Sequence, residues 1–312
     1  MNVLITGGLG HIGSYLLRNL GKTSEISKII IVDSLQTQRY SSLFNLPKSP
    51  EIVFIEKTVH ELTSHDLVQF GELKCVIHLA ATTDASGNLG NSDALFKNNL
   101  GSTLAITELC HNLDIPMIFP SSTSVYGSQS SLVNELCNDL VPQSPYAECK
   151  LQEELVIKNA VTKGLKGIIL RFGTIHGISE GMRFHTAVNR FCFQTANDLP
   201  LSVWKTALHQ KRPYLSLLDA NRAIAHVIQK SLYTGEIYNV LTSNHTVKEI
   251  IDAIEFAIGT KCAINFVDSA IMNQLSYEVS SHKFEETGFQ FRGNLQKDVS
   301  DTMKLLSGIY HE

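Results

Sequence analysis

Short runs dense in β-branched and apolar residues, alternating with longer amphipathic stretches, restrict the first half of this chain to one kind of architecture. The runs are NVLIT, KIIIVD, EIVFIE, CVIHLA, IPMIFP and GIILRF, and the stretches His11 to Leu20, Asp93 to Leu113 and Pro145 to Thr162 have helical spacing. Strands that are apolar on both faces need cover on both faces, which βα units wound around a parallel sheet supply. After Gly177 the pattern is less regular: Met182 to Ala196 reads as a helix, RPYLSL as a strand, and Thr246 to Ala257 as a helix opened by a Thr246/Glu249 capping box. The expectation is an α/β fold, a doubly wound parallel sheet over residues 1–177. A smaller C-terminal α/β lobe follows over 178–312, with some of its elements returning to the sheet and a cleft between the two.

Composition excludes several classes. At 312 residues, with 43% hydrophobic and 18% charged, the chain is globular, and a net charge of -4 argues against a broad basic surface for nucleic acid. No apolar run reaches bilayer length, so no membrane partner is expected. Cysteines 75, 110, 137, 149, 192 and 262 form no CxxC pair, and no His or Cys spacing suggests a metal. They read as reduced thiols. With MNVLITGG running straight into a strand, without a basic or cleavable leader, the expected location is cytoplasmic.

TGGLGHIG, Thr6 to Gly13, lies between the first strand and the first helix, where a phosphate-binding glycine turn belongs. Gly7 permits the tight turn, Gly10 lets the backbone approach a pyrophosphate, and Gly13 allows close packing, with His11 and Ile12 at the helix N-terminus facing the negative charge. Alone, such glycines could make an ordinary turn. KIIIVD, however, ends at Asp33, twenty residues beyond Gly13, with Ser34 next. A carboxylate there accepts bonds from a ribose diol and repels a 2′-phosphate, which favours NAD over NADP; Arg39, nearby, is the one feature that pulls the other way.

FPSSTSVYG, Phe119 to Gly127, follows the fifth strand, and SPYAECK, Ser144 to Lys150, opens a helix. Tyr146 and Lys150, four apart, share one helical face, where an ammonium and a positive nicotinamide ring favour the phenolate of a residue that is otherwise a poor base. By itself a Tyr and a Lys at this spacing is common, and SSTS could be an N-cap. Their order behind a dinucleotide turn is what gives them weight.

These segments, with VIHLAA (Val76 to Ala81), FKNNLGST (Phe96 to Thr103), LRFGTIHG (Leu170 to Gly177) and KRPYLSLLD (Lys211 to Asp219), resemble the extended short-chain dehydrogenases, the NAD-dependent epimerases and dehydratases of sugar nucleotides that include UDP-galactose 4-epimerase. The resemblance covers nearly the whole chain. It implies a Rossmann fold, bound NAD, a nucleotide-sugar substrate and a homodimer formed through the Asp93 to Leu113 and Pro145 to Thr162 helices. It places Ser122 with Tyr146 and Lys150 as the catalytic set. Leu79, Ala80, Ala81 and Asn99 fall beside the cofactor, and Thr82, Thr123, Thr174, Arg183, Asn189, Trp204 and Arg212 beside the substrate. Arg212 matches an arginine that grips the diphosphate, and Trp204 reads either as a ring stacked on the base or as a core aromatic. Two positions depart from the family: Thr174 replaces an asparagine at the diphosphate, and Thr58 replaces an aspartate beside the adenine.

In the resembling dehydratases and decarboxylases a carboxylate follows the orienting hydroxyl residue, whereas Thr123 and Ser124 follow Ser122 here; the cysteine of the fucose-synthase-like branch is also missing at Thr123. Cys149 reads as packing. The expected reaction is 4-epimerisation through transient oxidation to a keto-sugar and return of the hydride. A net oxidoreductase or dehydratase, and a catalytically silent NAD-binding sensor or scaffold, stay open as alternatives.

Overall fold

A computed structural model of the protein describes residues 1–23, 25–83, 92–267 and 276–308. In chain order the first half gives β1 (Asn2–Thr6), α1 (His11–Thr23), β2 (Lys28–Asp33), β3 (Glu51–Glu56), α2 (Ser64–Val68), β4 (Leu73–His78), α3 (Ser92–Asn112), β5 (Met117–Ser122), α4 (Pro145–Val161) and β6 (Gly167–Phe172). The second gives β7 (Thr174–His176), α5 (Ala187–Ala196), β8 (Leu201–Trp204), β9 (Lys211–Ser216), α6 (Leu217–Lys230), β10 (Ile237–Val240), β11 (Ser243–Thr246), α7 (Val247–Ile258), β12 (Ile264–Val267), α8 (His282–Glu285) and α9 (Leu295–Leu306).

The central sheet runs β3-β2-β1-β4-β5-β6-β10, parallel throughout. Alternation along β1 shows why its strands are apolar at every position. Val3 and Ile5 point to one side, into a cluster with Leu16 and Leu17 of α1 and Ile224 of α6. Leu4 points to the other, with Ile106 of α3 and Ile157 of α4. Each such side chain, fully buried, contributes about 1.5–3 kcal/mol, and the helices that cover the two faces are thereby fixed in place. This is the doubly wound Rossmann arrangement the sequence led us to expect.

Beyond Gly177 the chain builds a smaller assembly in which α5, α7, α9 and β8 share a separate apolar core. β11-β9-β7 and β12-β8 form two small sheets. Between α5 and α7 the chain returns to the central sheet, through α6 against α1 and through β10, whose Ile237 pairs with Ile169.

Element positions differ from the sequence reading at three places. β4 and β5 are each displaced by two residues, β4 toward the N-terminus and β5 toward the C-terminus, so that β4 ends at His78 and Leu79 to Ala81 lie beyond the strand. The expected helix from Met182 starts only at Ala187. Within the preceding segment the Arg183 carbonyl accepts from Asn189 Nδ2 at 3.1 Å. A helix would take that carbonyl into its own ladder. The capping box of α7 is present as read, with Thr246 N donating to Glu249 at 2.7 Å and Glu249 N to Thr246 at 3.2 Å.

Candidate active site

Strand order reverses between β1 and β4, so the chain leaves these neighbours in opposite directions and a crevice opens at their C-terminal ends. It widens into a cavity of about 970 Å³ walled on the far side by residues of α5, β8 and β9.

At the β1 end, Gly7 has φ +65, and a Cβ there would lie 2.6 Å from the Ala80 backbone; a Cβ on Gly13 would lie 2.4 Å from Gly8 O. Only glycine allows the turn and the helix start to come this close. The first turn of α1 holds no acidic residue, so its dipole is uncompensated where Gly7, Gly10, His11, Ile12 and Gly13 line the cavity. That donor set suits a diphosphate. Asp33 and Ser34 line the same end; the Asp33 carboxylate accepts from Leu9 N at 3.1 Å and Leu35 N at 3.0 Å, which fixes its orientation and leaves lone pairs for ribose hydroxyls. Arg39 also lines it, turned to Gly181 O. Leu79, Ala80 and Ala81 form the edge contributed from beyond β4.

His11 ties this turn to the second half of the chain, with Nδ1 2.7 Å from Ser179 Oγ and Nε2 3.4 Å from Asn189 Nδ2. Burial, then the charges of Arg183 and Arg39, hold its imidazole well below the ordinary range, so it stays neutral.

Ser144 caps α4 by accepting from Ala147 N at 3.2 Å, and Pro145 sets the first helical φ; Tyr146 then falls in the first turn and Lys150 one turn later. Both line the cavity beside Ser122 and Thr123 at the end of β5. Lys150 Nζ lies 4.4 Å from the Phe119 ring centre, 5.9 Å from that of Tyr146, and 3.2 Å from Glu153 Oε2. Burial opposes charge on Lys150, but Glu153 and Tyr146 more than offset it, and the ammonium is held above its ordinary range. Ser122 Oγ is 2.8 Å from Ser124 Oγ and accepts from Ser124 N at 3.2 Å. Thr123 Oγ1 donates to Phe172 O at 3.2 Å.

Thr82, Thr174, Arg183, Trp204 and Arg212 line the remainder. Arg183 donates to Thr83 Oγ1. Two guanidinium groups lie near Trp204, Arg190 at 5.9 Å and Arg212 at 5.6 Å from its ring centre. Asn99 and Asn189 are not in the wall but behind it. Asn99 accepts from Thr82 N at 2.7 Å and donates to Thr82 O at 2.9 Å; Asn189 donates to Arg183 O at 3.1 Å. Each pins a lining residue by its backbone.

The sequence reading does not single out Arg190, Thr83 or Tyr277, all of which line the cavity. The direction of the α5 face was the missing information for Arg190, since adjacent helical positions point about 100° apart. Among the described lining residues Asp33 is the one carboxylate, against Arg39, Lys57, Lys150, Arg183, Arg190 and Arg212. Among the described residues no group of three or more His, Cys, Asp or Glu is placed to hold a metal ion, and no helix is long and apolar enough to cross a membrane.

The family model described as NAD dependent epimerase/dehydratase matches residues 3–240. A Bacillus subtilis relative named as an uncharacterized UDP-glucose epimerase is 29% identical over 86% of this chain and 85% of its own length. An Arabidopsis thaliana trifunctional UDP-glucose 4,6-dehydratase, 3,5-epimerase and reductase is 27% identical over 97% of this chain; the chain spans only 47% of that protein. The crystal structure of a Bacillus cereus UDP-glucuronic acid 4-epimerase, in complex with UDP-glucuronic acid and NAD, is 25% identical with TM-score 0.85, covering 98% of this chain and 100% of that one.

Proposed function

The chain belongs to the NAD dependent epimerase/dehydratase family, and from that premise we propose that it is a sugar-nucleotide 4-epimerase. The observation that carries this reading is the distribution of charge and hydroxyls in the cavity. Tyr146, Lys150 and Ser122 meet there without any carboxylate beside Ser122, Thr123 or Ser124, while Asp33, the lining acid among the described residues, lies at the end of β2. Elimination or decarboxylation needs further acid-base help at the sugar. Removal and return of a hydride needs none.

Gly7, Gly10 and Gly13 with the α1 N-terminus hold the cofactor diphosphate, and Asp33 and Ser34 the adenosine ribose. Bound NAD supplies the place to which the sugar hydride goes and from which it returns. Tyr146 takes the proton of the 4-hydroxyl, Ser122 orients that hydroxyl, and Lys150 holds its ammonium 5.9 Å from the Tyr146 ring centre. Tyr146 gives the proton back when the keto-sugar has turned over, for which a cavity of about 970 Å³ leaves room. Arg212 and Arg190 grip the nucleotide diphosphate near Trp204, whose ring stacks on the base; Arg183, Thr174 and Thr82 contact the sugar side.

We further infer a homodimer through α3 and α4, which present the exposed Leu104 and Leu155, and a cytoplasmic setting from six free cysteines. The test of the activity is incubation with UDP-hexoses without added cofactor. Interconversion of 4-epimers is expected; stoichiometric NADH with no epimer identifies a dehydrogenase instead.

A further inference from the structure

From Lys150 a chain of buried polar groups runs through α4 and α3 to the ends of β4 and β1. Lys150 Nζ faces Glu153 Oε2 at 3.2 Å, with the two side chains 5% and 0% exposed. Thr103 of α3 donates to Glu153 Oε1 at 2.6 Å. His78 Nε2 lies 3.1 Å from Thr103 Oγ1, and His78 Nδ1 lies 2.7 Å from Thr6 Oγ1. Ala80 N donates to Thr6 Oγ1 at 3.3 Å.

The direction of every proton in this chain follows from its end. Thr103 donates to Glu153 Oε1, so its one hydroxyl proton points at the carboxyl group. Thr103 oxygen therefore accepts from His78 Nε2–H, Nδ1 is the bare nitrogen, and Thr6 donates to it. Burial, then the charge on Lys150, pushes His78 down to about 3, so it is a fixed neutral link and passes no proton. The chain orients Glu153. Its Oε2 accepts no well-directed hydrogen bond and is buried, so its nearest partner is the Lys150 charge.

The other groups around Lys150 do not take over this task. Cys149 on α4 is pushed up to about 12 by burial and stays a neutral thiol. Glu154, also on α4, is committed to Arg171 of β6 and to Ser121 of β5. β5 presents the Phe119 ring, and the turn after it presents Tyr126, which lies under Arg171. α3 presents the Thr103 hydroxyl, and Tyr146 faces Lys150 from the cavity side.

The geometry points to Glu153 as a positioning residue of the catalytic centre: it anchors Lys150, keeps it an ammonium although buried, and sets the alkaline limit of the pH range in which Tyr146 and Lys150 work as a pair. This rests on the epimerase reading for its kinetic consequence, not for the charge on Lys150 itself. With Glu153→Gln, burial acts on Lys150 unopposed by a carboxylate, so its proton is lost at lower pH.

The experiment is the pH dependence of kcat/KM for wild type, Glu153→Gln and Glu153→Asp, together with an NMR titration of 13C-lysine-labelled protein in which Lys150→Met assigns the resonance. In Glu153→Gln the alkaline limb and the Lys150 titration both move down by about one pH unit or more, and Glu153→Asp restores part of the shift. If Glu153→Gln does not fold, Glu153→Asp and Thr103→Val are expected to show smaller downward shifts. A rate that is scaled at every pH with both limbs and the resonance unmoved overturns the assignment. The NMR titration also decides it if the wild-type protein proves not to epimerise, because it needs no turnover.

Discussion

Arg171 and Glu154 form a two-point ion pair in the closed interior, Nε to Oε1 at 2.9 Å and Nη2 to Oε2 at 2.7 Å, with both side chains 2% exposed or less. Ser121 adds a bond to Glu154 at 2.6 Å, and the Tyr126 ring lies under the guanidinium. The pair joins β6 to α4, and so fixes the helix on which Tyr146 and Lys150 are carried. Breaking one side leaves an uncompensated buried charge, so Arg171→Leu is expected to cost about 3–5 kcal/mol in urea unfolding. A loss below about 1 kcal/mol would mean that the pair is not closed in solution.

Tyr146→Phe keeps the ring and removes the oxygen that moves the proton. The expected result is a fall of about 10²–10⁴ in turnover with NAD content and melting temperature unchanged. Unchanged turnover would remove Tyr146 from the mechanism.

Arg190 and Arg212 lie near Trp204 without a carboxylate in the surrounding wall among the described residues. Arg190→Leu and Arg212→Leu are each expected to raise KM for the sugar nucleotide by about ten-fold or more while kcat stays near wild type, the equivalent of a lost charge-assisted contact. A fall in kcat at constant KM would place these arginines at the reacting atoms instead.

His78 predicts how stability responds to acid. Its folded value of about 3 lies far below the ordinary 6.5, so between the two the unfolded chain binds a proton that the folded chain refuses. Stability from this group is complete above the ordinary value and is lost as pH falls toward the folded one, with a slope of up to about 1.4 kcal/mol per pH unit. His11 is shifted in the same direction and adds to it. Urea midpoints measured from about pH 7.5 down to about pH 5.5 should fall, and fall less steeply in His78→Gln. A slope unaltered by the substitution would contradict the burial of a neutral His78.

What was legible in the sequence was what local chemistry decides. The glycine turn, Asp33 at the end of β2, the α7 capping box and the shared face of Tyr146 and Lys150 each involve neighbours within one or two turns of chain. What was not legible depends on distant partners. Glu153 gains its meaning from Thr103 and His78, 50 and 75 positions away, and nothing in KLQEE marks which of its two glutamates faces Lys150. Asn189 and Arg190 are adjacent, yet one pins the Arg183 carbonyl from behind while the other reaches the cavity. β10 is four residues of the sheet supplied after a long excursion, and only its pairing with β6 identifies it. The segment before Ala187 has helical composition, but the Asn189 side chain claims its Arg183 carbonyl.

In the proposed reaction one hydride leaves the sugar and returns to it within a single turnover. A UDP-hexose carrying deuterium at C4 tests this directly, with the protein supplied as purified and no NAD added. The 4-epimer is expected to form with deuterium retained at C4. Product that has lost the label to solvent, or label appearing in free reduced cofactor with no epimer formed, would contradict it.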